Sequence, residues 1–505
     1  MFRAILAIFS ALLILFSMPG YLWGGLIFVA VVPLFFALEG STPRQGFGLG
    51  YLCGFAFFAL LLYWVYTLFE WAGALIIFGH LGLAGLLALW WGLFGAAYVA
   101  MQGYRKYLWI AVPALWVLLE YLRSLTRFGF TWGFVSDALA QYPALIQVAS
   151  LAGTWGISML IVLVNLLLYR AVRERRLLYG VFAMGLIALD WSWGAYQLAR
   201  ALPEGQPLRV AIVHSNVPQR ARSDPGQLQA LQTLYLSQLE RLSSEGVDLV
   251  LLPESIVPAY LLRQEELLRP YQEQARRLRA SLIVGTIDYR DGKLFNTAAL
   301  IAPDGTVSDL YDKVQLVPFS TEYFPLIGLL RRLGLENLIG PLPLGALTPG
   351  DGFRSLLLPQ GMKLATPICF ESIFAQISRA FVSNGAQAIL IITNDAWFKG
   401  SKALDQHFAK AIFRAVETGR FTVQAANGGI SGVIDPWGRV LHATRSQEAQ
   451  VLQETILLQD RATLYVQLGD WVVYLSFVVL LVLAGMRFIP PGVSWVTAPV
   501  ERLTL

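Results

Sequence analysis

A chain of 505 residues that is 56% hydrophobic and only 14% charged is too apolar for a soluble globule of that length and belongs in a bilayer. Its net charge of +5 sits wholly in residues 1–200, where basic side chains outnumber acidic ones, whereas residues 201–505 balance. That surplus lies in short loops between apolar runs, so the pI near 9.1 reads as cytoplasmic-side anchoring and not as a nucleic-acid footprint.

In chain order, continuous apolar runs long enough to cross about 30 Å of hydrocarbon fall near 2–18, 21–38, 47–69, 73–101, 107–122, 145–169, 177–194 and 470–488. They predict eight spans. The first lacks a small-residue cleavage site and is followed at once by another, so it reads as a retained helix and not a signal peptide. A cytoplasmic N-terminus places Arg3, Arg44, Arg105, Lys106, Arg170, Arg173, Arg175, Arg176, Arg487 and Arg502 on that side, against Arg123 and Arg127 on the other. Both termini are then cytoplasmic, and the polar stretch before the last span folds outside the cytosol. The predicted division is a membrane domain over 1–199 with seven spans, an extracytoplasmic domain over 200–465, and a final span with a short tail over 466–505. Glu120 and Arg123 are expected at the outer interface, paired or on a lipid headgroup. Trp64, Tyr66, Phe69, Glu70 and Trp71 are expected to form an interfacial belt.

Residues 208–460 change character. Short β-branched runs such as LRVAIVH, VDLVLL, ASLIVG, FNTAALIA, MKLATPI and AILIITN alternate with polar helical patterns at 225–244 and 405–420. In the second helix Phe408, Ile412, Phe413 and Val416 share one face. PDGT and PWGR are turn chemistry. The pattern predicts a layered α/β domain.

The two cysteines lie in unlike surroundings, Cys53 in an apolar run and Cys369 in the polar domain, so a disulfide between them is not expected and Cys369 is a free thiol. Four scattered histidines have no metal-ligand spacing, and neither a metal nor another cofactor is predicted. Three strand ends carry chemistry where an apolar run stops: Glu254 in LLPES, Lys313 in LYDKVQLVPF and Cys369 in PICFES.

Those motifs resemble the Glu-Lys-Cys triad of the nitrilase superfamily. With the spans, and with SNVPQ, FNTAAL, TNDAWF and QHFAKAIFRAVETGR in the same order, nearly the whole chain resembles the apolipoprotein N-acyltransferase family. Its departures are local: LVPFSTE puts Glu322 one residue later than the usual LVPFGE, WFKGS carries an added Lys399, GFTW replaces GFPW, Phe370 replaces a tyrosine, and Ser223 stands where a tryptophan is common. The resemblance implies an integral membrane α-helical bundle carrying a nitrilase-like αββα sandwich. It further implies a monomer in the bacterial inner membrane, with phosphatidylethanolamine as phospholipid donor and diacylglyceryl apolipoproteins as acceptors.

A free cysteine is only a few per cent thiolate at neutral pH, so Cys369 needs a base, and Glu254 is the candidate. Lys313 suits an oxyanion stabiliser. Glu371 and Glu322 are candidates for orienting Lys313, or for satisfying nearby amides. Asn296, Phe370, Asn394 and Trp397 are pocket candidates. The segment 323–340, with Leu326, Ile327, Leu329, Leu330, Leu333 and Leu335 beside Arg331 and Arg332, could dip into the lipid interface or pack on its own domain. Two other functions fit the pattern less well: a membrane-tethered amidase acting on C–N bonds, and a lipid- or lipoprotein-binding protein without catalysis.

Overall fold

The computed structural model describes residues 1–104, 106–325, 328, 332–334, 345–446 and 448–486. Arg105, Arg487, Arg502 and most of the 323–340 segment therefore lie outside the described residues.

Four described helices are long and apolar enough to cross a membrane: Pro43–Leu61, Leu75–Met101, Ala149–Glu174 and Leu177–Leu198. Phe2–Ser17, Leu108–Ser124 and Trp471–Met486 are shorter. The run at 21–38 is not one helix. It breaks into a 3-10 turn at Gly24–Leu26 and short helices at Ile27–Ala30 and Val32–Leu38. Pro33 suits a first helical turn, where its missing N–H leaves no gap. Asn165 repairs the break, accepting from the Val31 N–H and donating to the Ile27 carbonyl, each at 2.8 Å.

Helices Pro43–Leu61 and Leu75–Met101 approach closely because glycines face each other. A Cβ on Gly50 would lie 2.2 Å from the Trp91 carbonyl oxygen, and one on Gly95 2.2 Å from that of Gly46. Lipid supplies no hydrophobic drive between helices, so such backbone contact is what holds them. The helical part of the 47–69 run stops at Leu61; Tyr63–Leu68 is 3-10 and Phe69–Ala72 a single turn.

The polar stretch folds into two six-stranded sheets. The first orders β12 (Gln450–Leu458), β1 (Gln206–His214), β2 (Leu249–Leu251), β3 (Ser281–Arg290), β4 (Lys293–Ile301) and β5 (Val307–Asp312). The second orders β11 (Val440–Ala443), β10 (Gly432–Ile434), β9 (Thr422–Asn427), β8 (Ala388–Asn394), β7 (Lys363–Ala365) and β6 (Leu356–Leu357). Strand alternation builds the layers. Val210, Ile212, Leu249, Leu251 and Ile283 enter one core with Leu364, Ile389, Ile391 and Val423 of the other sheet. The intervening Ala211, Val213, Val250, Leu282 and Val284 instead meet Tyr235, Leu239 and Tyr271 of the helices Leu228–Glu240 and Glu265–Leu278. β1, β2 and β3 run parallel, as do β7, β8 and β9. Sites in such sheets form beyond the carboxyl ends of the parallel strands.

The helix Ala403–Thr418 departs from simple amphipathicity. Its apolar positions are buried, but so are Gln406, His407, Lys410, Arg414 and Glu417. The polar face is covered by the chain's first part: Trp132 donates to Gln406 at 2.7 Å, Lys410 pairs with Asp137 at 2.7 Å, and the Thr154 N–H donates to Glu417 at 3.2 Å.

Candidate active site

Glu254 lies just past β2. The chain leaves the sheet there against Gly285 of β3, where a Cβ would stand 2.5 Å from the Glu254 Cα; only glycine admits so close a backbone. Lys313 directly follows β5, its N–H donating to the Asn296 carbonyl at 2.8 Å. Cys369 follows β7 and opens the 3-10 turn Cys369–Ile373 with a φ of 51°. A left-handed conformation at a residue with a Cβ marks a position the surroundings impose.

The ammonium of Lys313 is fully buried between two carboxylates, 2.7 Å from Glu322 Oε1 and 3.5 Å from Glu254 Oε1. Burial alone would discharge it, but Glu322 and Glu254 outweigh burial and hold its pKa above the ordinary lysine value. Asn296 donates to both acids, at 2.6 Å to Glu254 and 3.2 Å to Glu322. Glu254 Oε2 accepts from the Asn394 N–H at 2.9 Å. Burial and the Glu254 charge push the Cys369 thiol up, while Lys313 opposes them. A thiol raised in this way needs a base to remove its proton during attack, and the charges of Glu254 and Lys313 both act on the sulfur.

Glu371 is fully buried beside these residues. Its Oε1 accepts from the Tyr311 hydroxyl and Val314 N–H, both at 2.8 Å, and the Gln315 N–H at 3.1 Å; Oε2 accepts from the Ile368 N–H at 2.8 Å. It ties the segment after Lys313 to the residue before Cys369. Glu322 touches the ammonium itself and also accepts from the Val317 N–H at 2.7 Å. Phe370 is buried edge-on against Phe374, with ring centroids 5.1 Å apart.

The first part of the chain contacts the loops that follow β1 and β8. Glu70 bridges Lys399 at 2.8 Å and Arg220 at 2.9 Å. Trp71 packs edge-on against Trp397 at 5.4 Å, and the Thr67 hydroxyl donates to the Trp397 carbonyl at 2.9 Å. Residues 64–71, expected as an interfacial belt, thus grip the loop following Asn394. Glu120 and Arg123 are buried: the acid accepts from the Val135 N–H at 3.1 Å, and the guanidinium lies between the rings of Phe58 and Phe134.

Sequence reasoning did not single out Gln219, Arg222, Asp395, His407 or Asn427, although all but Arg222 and Asn427 stand inside the quoted motifs. Asn394 donates to Gln219 at 2.7 Å and accepts from Asn427 at 2.9 Å. Arg222 donates to the Ser255 carbonyl at 2.7 Å; burial lowers its pKa, and it senses the charges of Glu254 and Cys369.

Two facing sheets with these strand-end groups are the architecture of a carbon–nitrogen hydrolase domain, and residues 209–465 match the family model described as "Carbon-nitrogen hydrolase". Residues 10–167 match the model described as "Apolipoprotein N-acyltransferase N-terminal domain". The chain is 32% identical to the apolipoprotein N-acyltransferase of Geobacter metallireducens, covering 92% of this chain and 91% of that one. The enzyme of the same name from Gloeobacter violaceus is 32% identical, over 90% and 88% respectively, and that from Thermotoga maritima 30%, over 94% and 92%. The chain belongs to the apolipoprotein N-acyltransferase family.

Proposed function

We propose that the protein N-acylates the α-amine of the diacylglyceryl-cysteine of apolipoproteins, drawing the acyl chain from a phospholipid, with phosphatidylethanolamine the favoured donor. The observation that carries this reading is the burial of the Lys313 ammonium between Glu254 and Glu322, with the Cys369 thiol under the influence of both Lys313 and Glu254.

In the first half-reaction Glu254 takes the thiol proton as Sγ bonds to the ester carbonyl carbon. Lys313 steadies the oxyanion. The C–O bond then breaks, Glu254 returns the proton to the departing lysophospholipid, and a thioester remains on Cys369. In the second half-reaction the acceptor amine attacks the thioester, the C–S bond breaks, and the amine's proton passes through Glu254 to the sulfur. Glu322 and Asn296 orient the Lys313–Glu254 pair, Glu371 fixes the loops that carry Lys313 and Cys369, and Asn394, Phe370 and Trp397 shape the pocket.

A donor of this kind requires the site to meet lipid. The proposed arrangement is eight spans, both termini cytoplasmic, and the α/β domain on the outer side of the bacterial inner membrane, in a monomer. Basic side chains in the intervening loops support that orientation. The decisive experiment incubates the full chain with phospholipid carrying a labelled fatty acid. Label should appear on Cys369, leave with hydroxylamine, persist in Cys53→Ala and vanish in Cys369→Ala. Undiminished transfer by Cys369→Ala would remove the nucleophile from this scheme.

A further inference from the structure

Behind the nucleophile lies a buried histidine to which the acyl-transfer scheme gives no role. His407 Nδ1 is 2.9 Å from Asp395 Oδ1, and its Nε2 is 2.9 Å from the Ser372 hydroxyl. That hydroxyl donates to the Cys369 carbonyl at 2.8 Å. A serine has one proton and a carbonyl can only accept. With the Ser372 proton committed to Cys369, the contact to His407 requires Nε2 to donate. The Asp395 carboxylate requires Nδ1 to donate as well. Only the imidazolium carries both protons.

The charge balance agrees. Asp395 is fully buried; among the described residues its other hydrogen bond is from the Thr393 hydroxyl at 2.9 Å, and its charge also reaches the buried His214. With a neutral ring its charge would have no cationic partner among the described residues, a costly state. Burial alone would lower the His407 pKa, but Asp395, the Cys369 carbonyl and Glu254 outweigh it and raise the value. On its own helix, the nearby Lys410 and Arg414 are committed to Asp137 and Glu417. The ring also meets Trp132 in a tilted contact, with centroids 5.8 Å apart.

We propose that His407 is held as an imidazolium by Asp395 and Ser372, and that it positions Cys369 for acylation by pinning the left-handed turn through the Ser372 hydroxyl. The proposal assumes the nucleophilic role of Cys369. One link joins the pair to the nucleophile: the Ser372 hydroxyl, which meets His407, reaches the Cys369 carbonyl.

The test uses the full chain in lipid nanodiscs with 15N-labelled histidine; there are only four histidines, and His407→Gln assigns the signal. At a pH near 8, well above the ordinary value of about 6.5, both ring nitrogens of His407 should be protonated. One protonated and one bare nitrogen at that pH would overturn the charge assignment. Acyl-enzyme formation should fall about tenfold or more in His407→Gln, with KM little changed. In Asp395→Asn the same rate should acquire a new decline as pH rises through about 6.5, which the wild type lacks. Wild-type rates in His407→Gln, or an unaltered pH profile in Asp395→Asn, would leave the pair merely structural and defeat the proposal. The nitrogen spectrum is independent of acylation. Transfer surviving in Cys369→Ala would thus fault the thioester scheme while the charge state is still read.

Discussion

Glu322 Oε1 stands nearer the Lys313 ammonium than Glu254 does, at 2.7 Å against 3.5 Å. The lysine is therefore anchored by the residue not assigned proton transfer, which leaves Glu254 the weaker ionic tie. Glu254→Gln should lower acyl-enzyme formation by about 10²- to 10⁴-fold, the usual worth of a positioned base. Glu322→Gln should cost less and leave the pH profile's shape intact. Stopped-time labelling of Cys369 across pH separates the two; equal losses would contradict the division of roles.

Lys313 keeps its proton because two acids outweigh its burial. Its folded pKa lies above the unfolded value, so its contribution to stability is fully present below about pH 10.4 and is lost only as pH climbs through the higher folded value. Activity should accordingly show no limb from lysine deprotonation up to about pH 10. Lys313→Met should reduce turnover by about 10²- to 10³-fold, measured with saturating phospholipid.

Burial pushes the Glu371 carboxyl up to about 6, above the unfolded value of about 4.3. The folded chain then binds this proton more tightly than the unfolded chain. Stability from the group is greatest below about pH 4 and falls by about 2 kcal/mol as pH rises through 6. Thermal melts from pH 4 to 7 should show the advantage of wild type over Glu371→Gln shrinking as pH rises; an advantage that grows would refute the sign.

Breaking the Lys410–Asp137 pair should be severe, since Lys410→Ala leaves a buried carboxylate uncompensated, at about 3–5 kcal/mol. Lys410→Met with Asp137→Leu should recover much of that loss. Folded yield and melting temperature of the singles and the double form the cycle. No recovery in the double would mean that the pair's hydrogen bonds matter more than its charge.

Glu70→Gln should barely change the melting temperature, because partly exposed ion pairs are worth about 0–1 kcal/mol. It frees the Lys399 end of the loop carrying Trp397, so KM for lipid should rise while the rate at saturation holds. A lower rate at unchanged KM would place Glu70's effect on the chemistry instead.

Much of the site was legible because strand ends, turns and apolar runs are local signals. Glu254, Lys313 and Cys369 each stand where an apolar run stops, and the fold brings their loops to one place. The burial of the 403–418 helix was not legible: its polar face looks solvated until residues 131–155 cover it, and no local pattern announces a polar partner more than two hundred residues away. The same holds for Glu70, whose partners Arg220 and Lys399 come from separate loops. His407 stood inside a quoted motif, but its meaning depends on a proton count that only three-dimensional contacts supply. The break at 24–38 was hidden because hydropathy is blind to Asn165 mending it.

The Lys410–Asp137 contact joins residues 273 apart in sequence, and this sets a timetable for biogenesis. At about 5–20 residues per second of synthesis, Asp137 emerges on the order of tens of seconds before the lysine that neutralises it exists. For that interval Asp137 has the Phe134 N–H as a local donor but lacks the ammonium that neutralises it in the finished seam.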